Sequence, residues 1–512
     1  MLLWVRVAVL LQLPALCHLW HVYDPSSNLE GCPEEHTRPV ASGGMDDLRL
    51  WPDIISAHDK ANGKVAYKFY EAMDIIYKHQ HPRDCSKAKF LITEGFSSGF
   101  GSEIHIEGFS LAIAMASGRI LLPRPNQLDE HRFHINDQAC SVNNNRDPMD
   151  RNSLYPSGDN ANIWNKRLVS GNNSFTTTGC YYEAYTNCSF VLEGRPRLFK
   201  TTEEDIRHFV NTGALLQSFG GAFRNQKVMR LMPGIHLEFK MLIPQQILAL
   251  FKSATSPAAS SQCKPKFRPI SLTTEKFGLV QYEDPVARYY WRAMSSAYIM
   301  RPNEFTRESI RKYRDKTMDR LNGNCVSMYI RHGDKGREMR LLSFREYAEV
   351  AIALYQKKLV PNSGDNNNSS RKFVGTIYLA TDNKSVFVEA MDWGRTNRFD
   401  IKFSALLPEV LNFTGVGYGP GTKKYHPRKE GYAHHPLEYL SVLVNLSNMM
   451  KCGAYVCTLA SNFCRLLDEL RATIGGKAQA VFADIGSSCN NEGRPCLDGE
   501  SWNGKGQKDW DW

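Results

Sequence analysis

The sequence predicts an α/β protein of two domains, the C-terminal one a doubly wound parallel sheet. Three observations predict it. From about residue 285 onward, short apolar runs alternate with helical stretches of ten residues or more, the pattern of strands joined by crossover helices. An earlier strand–turn–helix–strand unit lies between Lys89 and Leu122. At 512 residues the chain is too long for a single domain of roughly 150.

Taken in order, residues 21–85 are polar with short apolar patches and no clear period, and read as an N-terminal extension containing some helix. Lys89–Ile92 (KFLI) reads as a strand. A Gly-rich turn from Gly95 to His105 follows, then a helix from about Glu103 to Ser117 and a strand Arg119–Leu122. Residues 125–200 are rich in Asn, Asp, Ser and Gly and read as long loops tied by Cys140, Cys180 and Cys188. The expected N-terminal α/β domain spans 86–283. The C-terminal domain, 284–486, opens with helix Val286–Met300, stopped at Pro302, and a charged helix Glu304–Leu321. Next come strand Cys325–Arg331, helix Ser343–Leu359, strand Gly375–Thr381, helix Ser385–Met391 and strand Asp400–Phe403. Helix Leu437–Met450, strand Ala454–Thr458, helix Ser461–Ile474 and strand Ala480–Ala483 complete it. A Gly/Trp-rich tail occupies 487–512. Ligands of such sheets bind beyond the carboxyl ends of the strands.

Composition narrows the class. Hydrophobic residues are 42% and charged residues 23%, which excludes a wholly disordered or collagen-like chain. A mean hydropathy of -0.40, with no apolar run of about 18 residues after the leader, excludes a polytopic membrane protein. The net charge of +10 is small for this length and fits an anionic small substrate at least as well as nucleic acid, which is not expected as a partner. Met1 to Trp20 is a signal peptide or an uncleaved signal anchor, and either one places the rest in the secretory lumen. Twelve cysteines beyond Cys17 suit disulfides in an oxidising compartment. Sequons stand at Asn172, Asn187, Asn367, Asn368, Asn383, Asn412 and Asn445.

Four motifs carry candidate chemistry. Gly99-Phe-Gly101-Ser102, between a strand and a helix, is either a phosphate loop or a structural turn. Arg331-His332-Gly-Asp334-Lys335 at a strand tip either holds a diphosphate or is a solvated loop. Asp382 ends another strand. Ser461-Asn462 opens a helix, where Ser461 either caps it or meets a phosphate. Helix Leu437–Met450 carries a polar stripe of Glu438, Ser441, Asn445 and Asn448, usually a solvated face. The histidine pairs 79/81, 131/134 and 434/435 lack a third ligand at metal spacing, so no metal site is expected. No Gly-x-Ser-x-Gly elbow supports a serine hydrolase.

Together the ordered set Asp284-Pro285, Tyr298-Ile-Met-Arg301-Pro302, Tyr329-Ile-Arg331-His332-Gly-Asp334-Lys335, Tyr378-Leu-Ala-Thr381-Asp382 and Cys457-Thr-Leu-Ala-Ser461-Asn462-Phe-Cys464-Arg465 resembles the core alpha-1,6-fucosyltransferase family. That family includes the eukaryotic N-glycan enzyme and bacterial chitooligosaccharide fucosyltransferases, and the likeness covers about residues 86–485. The resemblance implies a GT-B-like architecture with a Rossmann-like donor domain. It implies an inverting, metal-independent transfer of fucose from GDP-fucose, with no other cofactor, to a glycan or glycoprotein acceptor in the secretory pathway, in the Golgi. Arg331 matches the essential arginine on the donor diphosphate. Asp334 and Lys335 match an Asp-Lys pair, Glu338 the general base, and Tyr347 a sugar-nucleotide contact. Gly99, Gly101, Ser102, Asp382, Ser461 and Asn462 match further donor-site positions, and Cys457 and Cys464 a disulfide. The sequence departs from the family at three donor-binding positions: His332 replaces a second arginine, Tyr329 a histidine and Asn445 an aspartate, the last two being base readers there. No counterpart of the family's coiled-coil stem or SH3-like domain is expected. Another sugar nucleotide, or a non-catalytic carbohydrate-binding role, are the alternatives. Acceptor, linkage and oligomeric state are not legible.

Overall fold

The computed structural model describes residues 22–23, 68–93, 100–122, 181–184, 186–188, 199–200, 228–231, 243–244, 246–250, 285–314, 317–321, 323–332, 341–355, 375–407, 436–458, 461–475 and 481–485. In chain order the elements are β1 (Val22–Tyr23), α1 (Phe69–Gln80), β2 (Phe90–Thr93), α2 (Phe100–Ala116), β3 (Ile120–Leu121), β4 (Phe199–Lys200), β5 (Val228–Leu231), α3 (Pro285–Ile299), α4 (Glu304–Tyr313) and α5 (Thr317–Arg320). There follow β6 (Val326–Ile330), α6 (Phe344–Leu354), β7 (Gly375–Thr381), α7 (Lys384–Asn397), β8 (Phe399–Lys402), α8 (Pro436–Lys451), β9 (Ala454–Cys457), α9 (Asn462–Ala472) and β10 (Val481–Asp484).

The strands form two sheets, as a GT-B-like α/β architecture requires. The first has order β3-β2-β5-β4 and is parallel throughout. The second has order β1-β10-β9-β6-β7-β8 and is parallel except for β1, which runs antiparallel to β10. Winding in the second sheet runs outward from β6 to β8, then returns to β9 on the other side of β6. The strand order therefore reverses between β6 and β9. In the first sheet it reverses beside β2, which has β3 on one side and β5 on the other. Ligands of open α/β sheets lie at such points, beyond the carboxyl ends.

Local sequence explains the elements. All seven residues of β7 are buried, as a parallel strand covered on both faces must be. Ser343 and Glu346 form a reciprocal capping box at the start of α6, and Asn303 caps α4 by accepting the Thr306 N–H. The single helix expected over 304–321 is two, because Arg314 is extended after α4. α7 runs six residues past the expected Met391. Its second half packs on β8, where a Cβ at Gly394 would lie 2.5 Å from Ile401 Cγ1.

The described end of the stretch expected as an extension packs into the core. Phe69, Ala72, Met73 and Ile76 of α1 join the cluster that holds α2 and α3. The Gln80 amide pairs with both backbone groups of Leu121 at 3.1 Å, closing the open edge of β3. Disulfides link Cys85 to Cys188, Cys325 to Cys452 and Cys457 to Cys464. Among the described residues no helix is long and apolar enough to cross a membrane. Disulfide chemistry of this kind suits a lumenal protein.

Candidate functional site

The reversal points of the two sheets meet. At the first, α2 starts with Phe100-Gly101-Ser102. At the second, α9 starts after Ser461. The helix starts touch: a Cβ on Gly101 would lie 2.6 Å from the carbonyl carbon and oxygen of Asn462 and 2.7 Å from Phe463 N. Only glycine permits that approach. Asn462 Nδ2 donates to Ser102 Oγ at 2.6 Å, and the ring of Phe463 lies against Phe100 and, at 4.1 Å, against Tyr329 of β6. Each helix start carries roughly half a positive charge. Two of them side by side favour an anion between or beside them.

The chain leaving β6 supplies a third cation. Arg331 is ion-paired with Asp382 at the tip of β7, and the His332 N–H donates to the other carboxylate oxygen at 2.9 Å. Thr381 braces this corner, donating to Ile330 O at 2.9 Å and accepting from the Asn383 N–H at 3.1 Å. Asp382 thus holds both the side chain of Arg331 and the backbone beside it.

At α9, Ser461 occupies the N-cap position but makes no side-chain cap bond. The capping role is not taken up. Among the described residues, Thr458 Oγ1 and Asn462 Oδ1 are buried with no hydrogen-bond partner. Buried polar atoms are normally paired, which makes the Thr458 hydroxyl, at a strand end, a candidate ligand contact. Thr458 was not singled out in the sequence; its position one residue beyond β9 is the signal that points to it. The Cys457–Cys464 disulfide ties the turn that presents Thr458 and Ser461.

Three expected donor contacts face elsewhere. Tyr347 is 1% exposed within the apolar cluster under α6, because Phe344, Tyr347, Ala348, Ala351 and Leu354 form one helical stripe against the sheet. It is a core residue. Asn445 is turned inward. Its Oδ1 accepts from Tyr378 Oη at 2.9 Å and its Nδ2 donates to Ser441 Oγ at 3.4 Å, while Asn448 Nδ2 donates to the same Tyr378 oxygen. Ser441, Asn445 and Asn448 of the stripe expected in solvent are buried and fasten α8 to β7. His332 uses both ring nitrogens within the protein, with Leu342 O and Asn383 Nδ2. Gly99, Asp334, Lys335 and Glu338 lie outside the described residues.

Behind the meeting point lies a buried polar cluster that sequence reading missed. Glu469 of α9 accepts from Arg292 and Ser296 of α3 and from His105 of α2. Burial pushes the Glu469 carboxyl up, but Arg292, His105 and Ser296 pull it further down, to about 2. Burial lowers His105, with Glu469 opposing. Among the described residues its Nδ1 has no partner, while Nε2 faces the Glu469 carboxylate at 3.0 Å. Tyr289 and Tyr455 both donate to the neighbouring Asp468. Three helices contributed by distant sequence are thereby pinned together, and the two helix starts are held in place. Among the described residues no group of three or more His, Cys, Asp or Glu is placed to hold a metal.

Fold and site together define a two-sheet α/β protein whose strand-order reversal points bring the starts of α2 and α9 together. No family model matches the chain, and no curated protein matches it. Among solved structures the chain is similar to an arginine-to-lysine mutant of Arabidopsis thaliana FUT1 in complex with GDP. Identity is 11%, coverage 88% of this chain and 83% of that one, and the TM-score 0.32. It is similar also to the NodZ alpha-1,6-fucosyltransferase soaked with GDP-fucose, at 12% identity over 75% of this chain and 92% of that one, with a TM-score of 0.31.

Proposed function

We propose that the chain is an inverting, metal-independent glycosyltransferase that moves fucose from GDP-fucose to a glycan or glycoprotein acceptor in the secretory pathway, in the Golgi. The observation that carries this reading is the meeting of two strand-order reversal points at the starts of α2 and α9, with Arg331 at the tip of β6, the strand beside β9. The ordered motifs across residues 284–465 support it from the sequence side.

In this reading departure of the nucleoside diphosphate places negative charge on phosphate oxygens. Arg331 meets that charge with a planar fork, oriented by Asp382, and stabilises the transition state more than the ground state. Lys335 adds countercharge, with Asp334 beside it. Gly99, Gly101, Ser102, Ser461 and Asn462 offer N–H and hydroxyl donors to the phosphates. Glu338 takes the proton of the acceptor hydroxyl on the opposite face of the sugar. Tyr329 supports the donor from below through Phe463.

The inward turn of Asn445 favours a second reading, a different sugar nucleotide, since the side chain at the family's aspartate position is spent on Tyr378 and Ser441. Calorimetry with GDP, UDP, ADP and CDP, with hydrolysis of GDP-fucose in EDTA, separates the two. GDP should bind tightest and turnover should persist in chelator. Tightest binding of UDP overturns the donor, and rescue of a chelated enzyme by manganese overturns the metal-free mechanism.

A further inference from the structure

His332 makes three hydrogen bonds that join three segments. Its Nε2 lies 2.7 Å from Leu342 O. A carbonyl only accepts, so Nε2 carries the ring proton. Its Nδ1 lies 3.3 Å from Asn383 Nδ2. Asn383 Oδ1 already accepts from the Ser385 N–H at 2.8 Å and the Ser385 hydroxyl at 2.6 Å, so the amide nitrogen faces the ring and Nδ1 is the bare acceptor. The third bond is the His332 N–H to Asp382. One neutral imidazole, in one tautomer, thus ties the tip of β6, the cap of α7 and the residue before the α6 N-cap.

His332 and Leu342 flank residues 333–341 in the sequence. That span contains Asp334, Lys335 and Glu338. We infer that His332 is a positioning residue rather than a donor ligand: it ties the tip of β6 to the start of α6 and the cap of α7, and so holds the corner that carries Arg331 and Asp382. An arginine at this place could not do the same, having only donors where the Asn383 amide needs an acceptor. The inference rests on the donor reading above.

The test separates the two. GDP affinity by calorimetry and GDP-fucose hydrolysis are measured for the parent, His332→Arg, His332→Gln and Asn383→Ala. His332→Arg should lower kcat about tenfold to a hundredfold, as for a displaced catalytic group, with GDP affinity within about threefold. His332→Gln keeps an N–H for Leu342 and should recover part of that loss. Asn383→Ala leaves the histidine in place and should lower kcat with KM for donor unchanged. An arginine variant equal to or better than the parent, or one whose GDP affinity collapses while it stays folded, overturns the inference. Nitrogen-15 spectra of histidine-labelled protein, with the His332 signal assigned by its loss in the glutamine variant, give a readout free of turnover. The Nε2–H tautomer is expected, and the Nδ1–H tautomer overturns the inference. If the parent fails to bind GDP, the donor reading falls, and the spectra still decide the role of His332.

Discussion

Replacing Gly101 by alanine sets two effects of known size against each other. Alanine is the better helix former, by about 1 kcal/mol in a helix interior and less in this first turn. Against it stands the contact with α9. A Cβ at this point would lie 2.6 Å from the Asn462 carbonyl group and 2.7 Å from Phe463 N, all backbone atoms. Ordinary contact begins at 3.4 Å, so the helix starts must part by roughly 1 Å. Overpacking of this kind costs about 1–3 kcal/mol. The 2.6 Å bond between Asn462 and Ser102 is stretched as well, a loss of about 1 kcal/mol. The net expectation is a destabilisation of about 1–3 kcal/mol, with GDP-fucose hydrolysis down by as much as about a hundredfold, since an ångström of misplacement suffices for that. Gly108→Ala is the control. Its nearest neighbour would be the Ser295 hydroxyl, also at 2.6 Å, a side-chain end away from the helix starts. Urea unfolding and donor hydrolysis of both variants decide the matter. A Gly101→Ala protein that is more stable than the parent and retains its turnover refutes the close approach as a feature of the site.

Three further predictions follow from particular contacts. Arg331→Lys keeps the charge but not the fork paired with Asp382, so donor hydrolysis should fall about 10²–10³-fold with the melting profile preserved; near-normal turnover removes Arg331 from the leaving-group role. Glu469 is held at about 2 against an ordinary 4.5. A depressed carboxyl stabilises the fold above its unfolded value, and that stability, about 3 kcal/mol, is lost as pH falls from about 4.5 towards 2. His105, also lowered, adds a loss that begins below about 6.5, because the unfolded chain takes the proton first. Urea titrations from pH 8 to 3 should show both, and Glu469→Gln, itself costing about 3–5 kcal/mol, should flatten the acid limb; an unchanged limb refutes the assignment. Asn445→Asp buries a carboxylate beside Tyr378 and should destabilise by about 1–3 kcal/mol without tightening GDP; tighter GDP by calorimetry would make Asn445 a base reader after all.

The sequence showed the alternation of the second sheet because strands such as β7 are unbroken apolar runs with helices of matching length between them. It placed Arg331, Asp382 and Ser461 at strand ends for the same reason. Periodicity says which residues share a face and not which face is covered. That is why the Ser441–Asn445–Asn448 stripe, buried against Tyr378, read as a solvated face or, at Asn445, as a donor-binding one. Tyr347 shows the converse error: an amphipathic side chain on a core stripe carries no mark of its burial. The α1 spacing was present in the sequence at 69, 72, 73 and 76 but diluted by the polar residues around it. The Glu469 cluster was beyond reach, since its members lie up to 364 residues apart.

The pairing of β1 with β10 joins Val22 to Ala483 and Tyr23 to Phe482. The two strands of this pair therefore stand about 460 residues apart in the chain. Until about residue 484 has left the ribosome, β9 is an unsealed parallel edge, open to pairing with another chain. The sheet can be sealed by β1 only after β10 has been made, and until then it is exposed to the misassembly that slow long-range pairing invites.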